Sequence, residues 1–172
     1  RLRKGAAEAV LALQNAGKEV YLISGDTTAA VEALATRLGI THWMAEALPA
    51  DKSDRIAALS QQGKHVLMVG DGLNDTAALA AADVSISPAS ALDAARVASD
   101  IVLLGGDLTP IAEALDTARS ATRRIRENFR IATLYNVIAV PIAVIGLATP
   151  LVAALAMSAS SITVSLNALR LR

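Results

Sequence analysis

HVLMVGDGLNDTAAL, residues 65–79, decides how the chain folds. Its first five residues form a short apolar run suited to a buried parallel strand, and its last four open an Ala-rich helical stretch. Between them, Gly70-Asp71-Gly72-Leu73-Asn74-Asp75 places two carboxylates and an amide within five positions at the tip of that strand. Carboxylates there can reach a hard cation while glycine lets the backbone approach a phosphate closely. A lone Gly-Asp pair after a strand carries little, because turns recruit both residues. Here a second pair follows the apolar run Glu19 to Ile23, as Ser24-Gly25-Asp26, and Lys52 in LPADKSDRI supplies a cation able to neutralise a phosphoryl group in transfer. Asp26 also suits the N-cap of the helix that follows it.

Outward from this stretch the pattern repeats. Further short strands are expected at Val84 to Ile86 and Ile101 to Leu104, and helices at Gly5 to Asn15, Thr27 to Leu38, Lys52 to Gln61, Thr76 to Ala82 and Ala91 to Ala98. Residues 1–118 therefore read as a doubly wound α/β domain with a parallel sheet. In such sheets ligands gather at the carboxyl ends of the strands, where both Gly-Asp loops lie. Of the two histidines, His65 begins a strand and His42 is a surface or strand-edge residue; neither is assigned a metal.

The whole chain of 172 residues is 53% hydrophobic with no net charge, which excludes the disordered class and a basic nucleic-acid binder. It has no cysteine and only 2% aromatic residues, so disulfides, thiolate metal sites and base-stacking platforms are excluded from these residues too. The neutrality is a cancellation. Residues 1–118 hold nine basic and fifteen acidic side chains, a balance of −6, while residues 119–172 hold seven arginines and only Glu127, a balance of +6. Ile131 to Leu169 is a 39-residue run without one charge. A spanning helix needs about 20 apolar residues, so the run predicts a membrane hairpin turning at Gly146, Thr149 and Pro150. The spans are expected at about 127–148 and 151–169, entered by a linker helix over Leu108 to Arg130 that joins phosphate chemistry to the membrane. Arg119, Arg123, Arg124, Arg126 and Arg130 precede the run, and Arg170 and Arg172 close it. Arginine favours the cytoplasmic side, so both clusters are expected there. The position and length of the run exclude a cleavable signal peptide.

Taken together, GDGLND, the upstream SGD and the stretch Pro49 to Lys52 resemble the phosphorylation domain of P-type cation ATPases, members of the haloacid dehalogenase-like superfamily. The resemblance covers essentially the whole chain. It implies that Asp71 binds Mg²⁺, that Asn74 and Asp75 order the phosphate and metal shell, and that Gly72 belongs to the same binding loop. It further implies that Ser24 hydrogen-bonds an aspartyl phosphate, that Lys52 neutralises it, and that Gly25 and Asp26 shape the loop. The family's phosphorylated aspartate, in a DKTGT motif, has no counterpart in this sequence. The chain is therefore expected to be the C-terminal part of a longer pump, with ATP bound by a domain outside it, and inactive by itself.

Polar groups inside a spanning segment are functional candidates by default. Tyr135, Asn136 and Ser161 are expected at a shared depth, and Met157 and Ser161 lie one above the other on one helix face. A thioether with amide, phenol and hydroxyl oxygens, and no carboxylate, favours a soft monovalent ion over Ca²⁺ or Mg²⁺. The YN and MSASS patterns resemble the seventh and eighth helices of Cu(I)-transporting ATPases. By that resemblance Tyr135, Asn136, Met157 and Ser161 are Cu(I) ligands, Ag(I) is a mimic, and the remaining ligands are a Cys-Pro-Cys pair on an earlier helix. Related zinc, cadmium and lead pumps typically carry a Lys or Asp in these helices. The implied product is an exporter in the inner or plasma membrane, multi-pass, with the α/β domain and C-terminus cytoplasmic. Its partners would be the bilayer, the N-terminal remainder of the pump and a copper chaperone, with no nucleic acid. The alternatives are a membrane-anchored phosphatase of the same superfamily and a truncated regulatory module.

Overall fold

The computed structural model describes residues 2–147 and 149–170. Arg1, Arg172 of the closing arginine cluster and Ala148 at the end of the first expected span lie outside the described residues. Two compact units emerge, Arg1–Ala112 and Glu113–Arg172.

The first unit alternates strand and helix. Helix α1 (Ala6–Asn15) precedes β1 (Tyr21–Ile23), α2 (Thr28–Leu38), β2 (His42–Met44), α3 (Pro49–Gln61), β3 (Leu67–Val69), α4 (Thr76–Ala81), β4 (Val84–Pro88), α5 (Asp93–Val97) and β5 (Ile101–Leu103). Every strand pair is parallel, as expected when helical crossovers connect the strands. The strands form two sheets, β1-β2 and β3-β4-β5, in place of the single sheet expected. Strand β2 was not anticipated: His42–Met44 is exposed throughout, so it carries no alternation of burial to betray it. β1 and β3, the strands that lead into the two Gly-Asp loops, are both edge strands among the described residues.

Small and branched side chains fill the interior. Val31 and Ala35 of α2 are buried, Leu79 of α4 packs with Ala91 and Ala95, and Ile86 of β4 packs with Leu103 and Ile111. Polar braces secure the loops between strands. Asp100 accepts hydrogen bonds from the backbone N–H and Oγ of Ser85, both at 2.8 Å, which holds its carboxyl below the usual range. Asp107 accepts from the N–H and hydroxyl of Thr109 at 2.9 and 2.7 Å and pairs with Lys4 at 3.2 Å. Those bonds hold its pKa down at about 2.

The second unit is a helical hairpin. Helix α6 runs from Pro110 to Val144 and α7 from Pro150 to Leu169. The turn uses the chemistry expected of it: Gly146 takes a left-handed conformation, and Thr149 accepts a hydrogen bond from Val152 N–H at 3.3 Å with Pro150 at the first helical position. Helix α7 buries none of its described side chains and is long and apolar enough to cross a membrane. The expected first span does not meet that measure among the described residues, because α6 stops at Val144 and an 18-residue window ending there draws in Glu127 and Arg130.

Candidate active site and ion-ligand helices

The loop after β3 closes on its own second carboxylate. Asp75 ends a 3-10 turn, Leu73–Asp75, and points inward, with only 8% of the residue exposed. Its Oδ2 accepts from the backbone N–H of Asp71 at 3.3 Å and Gly72 at 3.1 Å, while Oδ1 accepts from Lys52 Nζ at 2.6 Å. The Lys52 and Asp75 side chains are 14% and 11% exposed. This close wrap requires glycine at position 70, where a Cβ would fall 2.8 Å from the Cβ of Asp75. Lys52 arrives from the first turn of α3, which starts at Pro49 and is fixed by Asp51 Oδ2 accepting from Leu48 N–H at 2.7 Å.

Asp71 is placed differently. Its side chain is half exposed at the strand tip, and its Oδ2 pairs with the Arg3 guanidinium, which also donates to Ser90 Oγ at 3.0 Å. Asn74 is exposed on the 3-10 turn. The donors offered outward by this loop are therefore hard oxygens, and both carboxylates carry a positive partner, Asp75 the inward Lys52 and Asp71 the Arg3 guanidinium. That donor set fits Mg²⁺, with Asp71 as the available carboxylate and Asp75 behind it holding the loop.

The loop after β1 is built by local bonds. Ser24 Oγ donates to Asp26 Oδ2 and accepts from Asp26 N–H, both at 3.2 Å. Ser24 N–H donates to Met44 C=O, and its own carbonyl accepts from Ala47 N–H, each at 3.0 Å, tying the loop to the end of β2. Gly25 lies against the Ala47 carbonyl, where a Cβ would come within 3.4 Å. The N-cap of α2 is Thr27 rather than Asp26, whose carboxylate is turned back to Ser24. Two neighbours carried no sequence signal. Glu46 has a φ of 53° and accepts from Thr28 Oγ1 at 2.9 Å, and Arg3 meets Asp71 across 68 positions of chain.

In the hairpin the half-buried side chains recur at helical spacing along one face of each helix, the seam, and the others are exposed. Half-buried positions include Arg124, Asn128, Ile131 and Tyr135 on α6, and Ala156, Ser160, Val164 and Asn167 on α7. Of the four expected ion ligands, Tyr135 sits in the seam. Asn136 and Ser161 are exposed, and Met157 is 65% exposed. Asn136 also borders an open groove with Thr133, Val137, Val140 and Pro141. Among the described residues no group of three or more His, Asp or Glu side chains is arranged to hold a metal.

Comparison with known proteins adds three findings. The family model of the haloacid dehalogenase-like hydrolases matches residues 1–83. The chain is 48% identical over 99% of its length to the nitrogen fixation protein FixI of Bradyrhizobium diazoefficiens, and 43% identical over 97% to a copper-exporting P-type ATPase of Staphylococcus aureus. It spans 23% and 21% of the lengths of those two proteins. A crystal structure of a zinc-transporting PIB-type ATPase in the E2.Pi state superimposes with a TM-score of 0.93 at 33% identity, covering 99% of this chain and 28% of the other.

Proposed function

We propose a function from the premise that this chain belongs to the heavy-metal P-type ATPases and carries their haloacid dehalogenase-like domain. Within the longer pump it supplies the groups that bind and release an aspartyl phosphate, together with part of a Cu(I) site in the membrane, so that ATP hydrolysis drives export from the cytoplasm. The observation that carries this reading is the inward pair of Lys52 and Asp75 behind an outward Asp71. Asp75 spends both oxygens on Lys52 and two backbone amides, which fixes the ammonium and leaves Asp71, paired with Arg3 and half exposed, as the carboxylate a cation can reach. Bound there, Mg²⁺ supplies positive charge to offset the phosphate oxygens. Lys52 adds a second, preorganised positive group, and Ser24 a hydroxyl at the neighbouring strand tip.

The nucleophilic aspartate belongs to a strand elsewhere in the pump. β1 and β3, which end in the two catalytic loops, each have one sheet neighbour among the described residues. A parallel strand between them would place its carboxyl end beside Ser24 and Asp71. The similarity to a copper-exporting and a zinc-transporting ATPase runs on through the hairpin, which favours a pump over an anchored phosphatase.

The ion reading rests on donor chemistry. Tyr135, Asn136, Met157 and Ser161 offer a thioether and neutral oxygens in a run free of charge, a set suited to Cu(I) and its mimic Ag(I). Asn136, Met157 and Ser161 face out of the seam, toward ligands that other helices of the pump would contribute. Two crossings by the hairpin put both arginine clusters, the α/β domain and the C-terminus on the cytoplasmic side. Replacing Asp71 with Asn in the full-length pump is expected to lower ATP turnover by about 10²-fold or more. Turnover at the wild-type rate would overturn the catalytic assignment.

A further inference from the structure

Asn167 is a polar residue of the apolar run that the ion site does not use, and the structure gives it two partners. Its Nδ2 donates to Asn128 Oδ1 at 2.8 Å and to Glu127 Oε2 at 3.2 Å, one hydrogen to each. The same Glu127 oxygen accepts from Arg124 at 2.8 Å, with the Arg124 side chain only 15% exposed. Glu127 is the sole acidic residue from position 119 to the end of the chain. These four groups are half-buried in the seam and join α6 to α7 at the end of the hairpin away from its turn.

We propose that this cluster is a register clamp: Asn128 and Asn167 fix which residues of the two antiparallel helices lie at one depth. They thereby act as positioning residues for the membrane ion site. Tyr135 is seven residues beyond Asn128 and Ser160 seven before Asn167, so each lies about 10 Å from the clamp. Seven residues are also two turns, which returns both side chains to the seam, where both are half-buried. Asn136 then sits about 12 Å from the clamp, between Ser161 at about 9 Å and Met157 at about 15 Å. A slip of α7 by one turn would displace its donors by about 5.4 Å and remove that match.

Apolar contacts alone specify this register weakly. On α7 the seam residues before Asn167 are Ala156, Ser160 and Val164, small or branched side chains with little shape to fix a register, whereas the Asn167 amide loses both acceptors on slipping. An amide left without a partner in apolar surroundings is costly, so the clamp selects the register even where it adds little to stability. The proposal rests on the ion reading above for its purpose, though not for its geometry.

Cysteine pairs introduced into the full-length pump provide the test, and because residues 1–172 contain no cysteine, a cross-link between α6 and α7 comes from the introduced pair. In membranes, the pair Tyr135→Cys and Ser160→Cys is expected to cross-link efficiently with a short bis-maleimide. Adding Asn167→Leu is expected to lower that yield roughly fivefold and to raise the yield of a Tyr135→Cys and Val164→Cys pair, one turn away. Asn128→Leu, which removes the other half of the clamp, should act in the same direction, and the second cysteine pair separates a shifted register from a lost hairpin. Unchanged yields in both Leu variants overturn the clamp. Ag(I) bound per full-length pump, measured on Asn167→Leu, reads the purpose separately. A several-fold weaker site supports the positioning role, while a relocated cross-link with unaltered Ag(I) binding removes these helices from the ion site and leaves the register assignment standing.

Discussion

The two units of this molecule place their candidate functional side chains by opposite means. In residues 1–112, each key carboxylate is held by named partners: Asp75 by Lys52 and two amides, Asp71 by Arg3, and Asp26 by Ser24. In the hairpin, the expected ion ligands Asn136, Met157 and Ser161 lie on the outer surface, and among the described residues hydrogen bonding between side chains of the two helices is concentrated around Asn167. The difference follows from the medium. A charge near water can be oriented by other charges at modest cost, whereas apolar surroundings penalise every unpaired polar group. On the proposed ion reading, a hairpin does best with neutral donors that would meet their ion only when other helices complete the site.

The sharpest way to break this contrast is Lys52→Ala. It strands Asp75 as a nearly buried carboxylate whose remaining partners are two amides, and removing one member of a buried pair typically costs about 3–5 kcal/mol. Even with the residual exposure, a loss of about 3 kcal/mol is expected by urea denaturation, with partial recovery in Lys52→Ala combined with Asp75→Asn. A loss under about 1 kcal/mol would mean that the unit is not held by its functional charges. Next in size is Gly5→Ala. Gly5 has a φ of 75°, and a Cβ there would lie 2.1 Å from Asp107 Oδ1 and 2.8 Å from Thr109 N. The left-handed backbone and the collision with a fixed brace together predict a loss of about 2–3 kcal/mol. The same substitution at Gly17, which has a similar φ of 72° and open space around it, should cost only the backbone part.

A smaller effect sharpens how the brace works. Asp107 has its pKa lowered from 3.8 to about 2 by Thr109 and Lys4. Because the folded value lies below the unfolded one, the stabilisation is present above the unfolded pKa and is lost as pH falls through the folded value. The gap in urea midpoint between wild type and Asp107→Asn is therefore expected to be open at pH 6 and closed near pH 2. Asp107 is half-buried but its partner Lys4 is exposed to solvent, so salt should narrow that gap. A gap independent of pH would assign the effect to hydrogen-bond geometry alone.

Much of this arrangement was legible in the sequence because local signals agreed. The helix boundaries at Asn15, Leu38 and Gln61 fall where glycine or polar residues end an apolar period, and the GDGLND loop declared both its strand and its helix. What remained hidden depends on distance along the chain. Arg3 meets Asp71 across 68 residues, and no pattern near Arg3 signals it. The inward turn of Asp75 and outward turn of Asp71 follow from the 3-10 geometry between them, which spacing alone does not distinguish. Strand β2 is short and exposed, so its parallel partner β1 supplies the pairing that its own residues do not announce.

The least effect on stability is expected where the effect on the ion is greatest. Met157 is 65% exposed and belongs to a helix with no described side chain buried, so Met157→Leu preserves volume and apolar character without opening a cavity. Its unfolding free energy in membranes or detergent should match wild type within about 0.5 kcal/mol. The substitution nonetheless removes the only sulfur donor between Ile131 and Leu169, leaving oxygens that bind a soft ion poorly. Cu(I) or Ag(I) bound per full-length pump should fall, and Met157→Cys, which restores a soft donor, should recover part of it. Unaltered stoichiometry and affinity in Met157→Leu would take Met157 off the ligand set. A large loss of stability instead would show that the hairpin, like the α/β unit, is held together by the residues that serve its function.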